Sequence, residues 1–423
     1  MTAELPNDRP QEFSHADTPH ADTPHAATSD ADTPHADDQS RVSDALATIV
    51  VHGGGPEHAG GRPVVTPLVQ SVNFVYDGES ARDMRYTRYG NTPNALVVQR
   101  KMAMLEGSEA ALVLSSGMGA TSCAMLALLR PGDHMVASSW LYGGTRELFE
   151  KEFPMLGIDV SFVDPTETRT WRRSLRPTTR ALFLESPVNP TTRVIDLAPL
   201  RALSQEHGLA FVVDSTFASP MNFRALEHGA DVVIHSGTKY LNGHHDSMSG
   251  VVCGTQSVID EVREKMMRWG QAPDPFAVWL LERGLKTLDI RVKRQSENAM
   301  RVAQWAEQHG AFASVLYPGL ESHPDHDVAT RVLDGFGGML GLVLRGGDHA
   351  ATRVVPRLRL FLQAPSLGGV DSLVSEPRST SHSHISREAR AAIGISDGFL
   401  RLSVGIEDAD DLIADLSNAV DGA

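Results

Sequence analysis

Cysteine is scarce: the 423 residues contain only Cys123 and Cys253, each inside an apolar stretch. Two such thiols cannot staple a secreted scaffold, and both are expected as buried, inert groups in a protein of the reducing cytoplasm. Positive charge is also in deficit, the net charge being −15 at pH 7. That balance argues against nonspecific binding to nucleic acid or to an anionic membrane face, so any anionic ligand must be met by local cations. No G-x-G-x-x-G follows a strand-like run, and no P-loop occurs. "HGGG" at His52 to Gly55 has no G-x-S-x-G to accompany it, so it reads as a flexible loop and not as an esterase oxyanion loop. A secretory leader is not expected, because the N-terminal stretch is polar. The uncharged run from Ala110 to Leu129 has the length of a membrane span, yet "SSGMGATS" interrupts it. It predicts a strand (Ala111 to Leu114), a glycine turn and then a helix.

What is present divides unevenly along the chain. "ADTPH" recurs at 16, 21 and 31 in a tract almost free of apolar side chains, so residues 1–42 are expected to be a disordered tail. Beyond it, apolar runs such as "HMVASS", "VSFVD", "RALFLES", "LAFVVDS", "ADVVIHS" and "SGVVCG" alternate with helical periodicity, as in "LAPLRALSQEHG". Continuous apolar strands separated by helices predict an α/β fold with a mostly parallel sheet covered on both faces. Thr92-Pro93 predicts a helix start with Thr at the cap and Pro in the first turn. The long pattern from Leu288 to His309 predicts a connecting helix, followed by a smaller C-terminal α/β domain. The resulting division is a tail (1–42), an N-terminal arm (43–91), a large domain (92–290) and a C-terminal domain (291–423).

Sheets of this kind bind ligands beyond the carboxyl ends of their strands. Polar residues gather there in the sequence. "LVLSSGMGA" places Gly117 and Met118 at the start of a helix, where backbone N–H groups and the positive dipole end suit a phosphate. "VVDST" leaves Asp214 at the end of an apolar strand, costly unless a cation meets it. "VIHSGTK" offers Ser236 and Thr238 as phosphate donors and Lys239 as an amine, and "LESPVNP" adds Asn189. A lysine in such a loop is most simply a solvated surface residue. An anchored anion, a buried acid and an amine, each after a different strand, instead describe a pocket for pyridoxal 5′-phosphate. "GHHD" at Gly243 to Asp246 lacks a third ligand, so no metal is expected there.

The runs "YTRYGNTPN", "SSGMGA", "YGGT", "ESPVNPT", "VVDSTFASP", "SGTKYLNGHHD", "YPGLESHPDHDVA", "SLGGVDSL" and "RLSVGIED" occur in that order from about residue 45 onward. In them the chain resembles the transsulfuration enzymes of cysteine and methionine metabolism, which include cystathionine γ-synthase and γ-lyase, methionine γ-lyase and O-acylhomoserine sulfhydrylase. The resemblance implies a type I pyridoxal-phosphate fold of the aspartate aminotransferase kind. It also implies a homotetramer, a dimer of dimers, with active sites shared across the dimer interface. Tyr86 and Arg88 match a pair that reaches the neighbouring subunit's phosphate. Tyr142 matches a tyrosine that stacks on the cofactor and assists proton transfer, and Thr216 is counted among the cofactor-binding residues. Arg401 matches the arginine that clamps the substrate carboxylate, helped by Ser366 and Asn189. Gly144 stands where methionine γ-lyases characteristically carry a cysteine, Pro365 replaces a glutamate tied to substrate choice, and Gly237 replaces alanine. The expected activity is γ-replacement on an O-acylhomoserine by a thiol such as cysteine, giving cystathionine. The alternative is a lyase that cleaves cystathionine or a related sulfur amino acid; methionine γ-lyase, sulfhydrylase and a cofactor-binding homologue without turnover rank lower.

Overall fold

The computed structural model describes residues 45–55, 61, 63–76, 78, 84–380, 382–383 and 386–422. The 1–42 tail lies outside them. Every element named below belongs to one compact unit made of residues 40–74 and 85–423.

Seven strands form the larger sheet: β1 (Ala110–Leu114), β2 (His134–Ser138), β3 (Asp159–Val163), β4 (Thr179–Glu185), β5 (Ala210–Asp214), β6 (Val232–Ser236) and β7 (Gly250–Gly254). Their order is β1-β7-β6-β5-β4-β2-β3. All pairings are parallel except the two made by β7, which runs antiparallel to β1 and β6. The carboxyl ends of β1, β6, β5, β4 and β2 therefore share one edge, and the polar residues singled out above collect there. Helices cover both faces because every inner strand is apolar on both sides: Leu182, Leu184, Phe211, Val213 and Val233 pack into one core, while Phe183, Val212, Val232 and Ile234 pack into the other. Cys253 and Cys123 are buried, one in each core. Burial pushes both thiols above their ordinary value, Cys123 to about 11.

The 111–114 strand and the helix after it occur as β1 and Gly117–Leu128. Pro93 opens the helix Pro93–Glu106, but Thr92 caps it with backbone alone: its carbonyl accepts from Leu96 N–H and its side chain makes no cap bond. The expected connecting helix spans Leu288–Gln308. After it comes a five-stranded sheet of β8 (Phe312–Leu316), β9 (Met339–Leu344), β10 (Leu362–Gln363), β11 (Leu373–Ser375) and β12 (Phe399–Ser403). Its order is β10-β11-β12-β9-β8, and only the β10–β11 pair is parallel.

The turn after β6 is held from behind by the buried Arg291 of the long helix. Its guanidinium donates to the carbonyls of Tyr240 at 2.8 Å and Gly284 at 2.8 Å, and to Thr287 Oγ1 at 3.0 Å. Among the described residues no carboxylate pairs with it, and burial lowers its pKa to about 10. Gly243 is required where this guanidinium passes. Its φ is +73°, and a Cβ there would sit 2.0 Å from Arg291 Nη1. Gly243→Ala is expected to destabilise the fold by about 1–3 kcal/mol through backbone strain and displacement of Arg291. Denaturant unfolding checks this, and a variant as stable as the parent would contradict it.

Candidate active site

β6 ends at Ser236, and the chain turns through Gly237 and Thr238 to Lys239. Thr238 fixes the turn: its hydroxyl donates to the Ser249 carbonyl at 3.2 Å and accepts from Ser249 N–H at 3.1 Å. Gly237 leaves room for Ser249, whose Oγ would lie 2.3 Å from an added Cβ. Lys239 Nζ then reaches Ser366 Oγ at 3.0 Å, with no carboxylate as its hydrogen-bond partner. Burial, followed by the positive charge of Arg401, lowers the Lys239 pKa from 10.5 to about 8. A surface lysine has neither property.

Arg401 projects from β12 and is buried. Its Nη1 donates to Asn189 Oδ1 at 3.1 Å and its Nη2 to the Ser366 carbonyl at 2.8 Å. Its Nε is buried without a hydrogen-bond partner. Desolvation lowers its pKa to about 10, so the guanidinium remains a cation. Ser366 sits between lysine and arginine with φ +88°, a conformation unfavourable for a residue with a side chain. Asn189 lies in a loop anchored a few residues on by Arg193, which pairs with Asp325 at 2.5 Å.

A second chain of contacts runs along the strand ends. Thr216 Oγ1 accepts from Ser236 N–H at 2.8 Å, and Asp214 Oδ1 accepts from Thr216 N–H at 2.9 Å. Burial raises the Asp214 pKa, and its bonds with Thr216 offset part of that rise. Asp214 lies in register with Glu185 at the end of β4. Glu185 Oε1 accepts from Tyr142 N–H at 2.6 Å. The Tyr142 side chain itself is exposed. Gly144 packs under its ring, since a Cβ there would lie 2.7 Å from Tyr142 Cε1 and 3.3 Å from Met118 Sδ.

The helix Gly117–Leu128 starts beside Ser236: a Cβ on Gly117 would come within 2.8 Å of Ser236 Cβ. Ser116 caps the helix by accepting from Gly119 N–H at 2.9 Å. Gly117 and Met118, in its first turn, have no intrahelical acceptor. Their N–H groups and the dipole end suit a phosphate.

Eleven of the sequence-selected residues thus meet at one sheet edge. Tyr86 and Arg88 do not join them. The Arg88 guanidinium donates to the Met267 carbonyl at 3.3 Å and lies over the rings of Tyr86 and Tyr89, while Tyr86 bridges to Asn73. Sequence reasoning missed Glu185, although it ends an apolar strand just as Asp214 does, and Arg291, whose spacing carries no such signal. The described residues contain no group of three His, Cys, Asp or Glu side chains able to hold a metal. In the "GHHD" run, His244 Nδ1 meets the Asn242 carbonyl and Asp246 accepts from Asn242.

The residues fit pyridoxal phosphate on the chemistry of their donors: a helix start and a serine for the phosphate, an acid with one oxygen engaged by Thr216, and an amine of lowered pKa. The unpartnered Arg401 Nε, buried beside Lys239, leaves the guanidinium able to take a further acceptor.

Comparison with known proteins agrees with this assignment. Residues 47–421 match the family model described as "Cys/Met metabolism PLP-dependent enzyme". L-methionine γ-lyase of Porphyromonas gingivalis is 39% identical over 388 residues, covering 89% of this chain and 97% of that protein. Cystathionine γ-synthase of Mycobacterium tuberculosis is 39% identical over 378 residues, covering 88% and 96%. The crystal structure of cystathionine γ-synthase from Xanthomonas oryzae pv. oryzae, in complex with aminoacrylate and cysteine, is similar with a TM-score of 0.85 and 37% identity, covering 89% of this chain and 98% of that one.

In cofactor-free protein, acylation of Lys239 followed by peptide mapping is expected to be half-maximal near pH 8, below ordinary exposed lysines. Arg401→Met moves that midpoint upward, because a cation no longer opposes protonation. A Lys239 profile indistinguishable from exposed lysines would contradict the site geometry.

Proposed function

The chain belongs to the Cys/Met metabolism PLP-dependent enzymes, and within that family we propose that it catalyses γ-replacement, joining an O-acylhomoserine to a thiol such as cysteine. The products are cystathionine and the carboxylic acid released from the γ position. The observation that carries this choice over a methionine γ-lyase is Gly144. Its place under the Tyr142 ring, 2.7 Å from a would-be Cβ, holds no thiol and has no room for one unless the tyrosine moves.

When bound, pyridoxal phosphate supplies an aldehyde that takes up amines and a ring that accepts electrons from the substrate's α-carbon. Gly117 and Met118 N–H, with the Ser236 hydroxyl, would hold the phosphate, and Thr238 could add its hydroxyl if released from Ser249. Asp214, steadied by Thr216, meets the ring nitrogen through a charge-assisted hydrogen bond worth about 1.5–3 kcal/mol. Arg401 turns its guanidinium to the substrate carboxylate, where its planar fork provides a bidentate grip. Asn189 and Ser366 set its angle. Lys239, readily deprotonated near pH 8, removes the α-proton and then moves a proton at the β-carbon so that the γ-substituent can leave. Tyr142 would cover the cofactor ring and assist that departure.

On this reading residues 43–91 form an arm toward a neighbouring subunit, 92–290 the cofactor-binding domain and 291–423 the C-terminal domain. Tyr86 and Arg88 serve the neighbour's phosphate in a dimer of dimers. Supporting this, Val64, Val65, Leu68 and Val72 of the arm are solvent-exposed in the single chain, a cluster suited to burial by a second copy. No described helix is long and apolar enough to cross a membrane, and a cytoplasmic location is part of the proposal.

A lyase is the second reading, because the same residues can release a thiol from cystathionine and Pro365, exposed beside Ser366, supplies no carboxylate to bias substrate choice. Incubation with O-succinylhomoserine and cysteine is expected to yield cystathionine and succinate, with little oxo acid formed from cystathionine alone. Faster oxo-acid release from cystathionine than synthesis from the ester would overturn the proposal in favour of the lyase.

A further inference from the structure

Glu185 has no role in the proton transfers above, yet it is buried at the sheet edge where the site is built. It ends β4, in lateral register with Asp214 at the end of β5. Register partners on adjacent parallel strands project to the same face, so two carboxyl groups are set side by side at the same depth. Among the described residues the hydrogen-bond donor in contact with Glu185 is the Tyr142 N–H, 2.6 Å from Oε1. Asp214, by contrast, is served by Thr216.

The surroundings hold few charges. On β2, the neighbour of β4 on its other side, Ala137 and Ser138 are uncharged. The nearest cation on the following helix, Arg146, is turned to Glu150 and the Phe162 ring. Across β5 the register partner of Asp214 is the apolar Ile234 of β6, and the next residue, His235, turns to the other face of the sheet, where it is buried and bonded at 2.6 Å to Glu106. Two adjacent carboxylates with no cation bonded to either cannot both ionise at low cost, so one proton must be kept. The Thr216 bond favours the anion at Asp214. Burial, and then Asp214 itself, push the Glu185 carboxyl well above its ordinary value.

We propose that Glu185 is a positioning residue that retains the proton of this carboxyl pair, leaving Asp214 as the anion that meets the cofactor's ring nitrogen while fixing the backbone of Tyr142. This rests on the reading of Asp214 given above. One acidic residue would thereby act on the cofactor through two neighbours: through Asp214 on the electron sink, and through the Tyr142 backbone on the placement of that tyrosine.

Infrared difference spectroscopy tests the protonation directly. In holoenzyme labelled with carbon-13 glutamate at neutral pH, the wild type minus Glu185→Gln difference is expected to show a protonated carboxylic-acid C=O stretch belonging to Glu185. Loss of a carboxylate band instead would overturn the proposal. The neutral, near-isosteric Gln keeps the acceptor for Tyr142 N–H, so Glu185→Gln is expected to bind pyridoxal phosphate within about threefold of wild type. Glu185→Ala, which orphans that N–H, should lose about tenfold or more. A Gln variant as impaired as Ala would also overturn the proposal. Asp214→Asn separates the two layers. It should lose cofactor affinity; if it does and Glu185 is ionised, only the proton assignment fails. If Asp214→Asn binds the cofactor like wild type, the Asp214 reading fails and this inference falls with it.

Discussion

The hydrogen bond from Lys239 to Ser366, with Arg401 directly behind it, is the constraint around which the rest is arranged. An amine in water is protonated and unreactive at neutral pH. Removing it from solvent beside a guanidinium, without giving it a carboxylate, tilts it toward the neutral form that proton abstraction needs. The arrangement holds only because Ser366 accepts an unfavourable backbone conformation to present its hydroxyl to the lysine and its carbonyl to the arginine. Lys239 belongs to the turn after β6, whereas Ser366 and Arg401 come from the second sheet region, so the reactive amine is defined only when the two parts of the chain pack together.

The parallel sheet supplies the other half of the site. Because β7 runs against both its neighbours, β1 and β6 point the same way, and their carboxyl ends bring the start of the helix Gly117–Leu128 next to Ser236. Asp214 and Glu185 follow on the next two strands. The site is thus a row along one edge: helix start, serine, aspartate, glutamate, then the tyrosine backbone.

Much of this was legible before any coordinates. The apolar strands announced the layered sheet, and polar residues directly after them announced the site, because burial makes such residues expensive anywhere else. Lys239, Asp214, Ser236 and Gly117 were readable on those grounds. Arg401, Tyr142 and Ser366 were not: each needed the family resemblance, because contacts between residues 35 to 212 positions apart leave no local periodicity. The antiparallel insertion of β7 was hidden for a related reason, since "SGVVCG" is as apolar as its parallel neighbours. Thr92 illustrates the reverse case, a residue of the right type at the cap whose side chain is not used. Arg291 was invisible because most of its partners are carbonyls, which every residue has.

The central claim is that the ε-amine of residue 239 is the group that engages the cofactor's aldehyde. Borohydride reduction of fully loaded protein, followed by peptide mapping, measures this most directly. A single pyridoxyl group on the peptide carrying Lys239 is the predicted result; the label on any other lysine, or on none, would contradict the account.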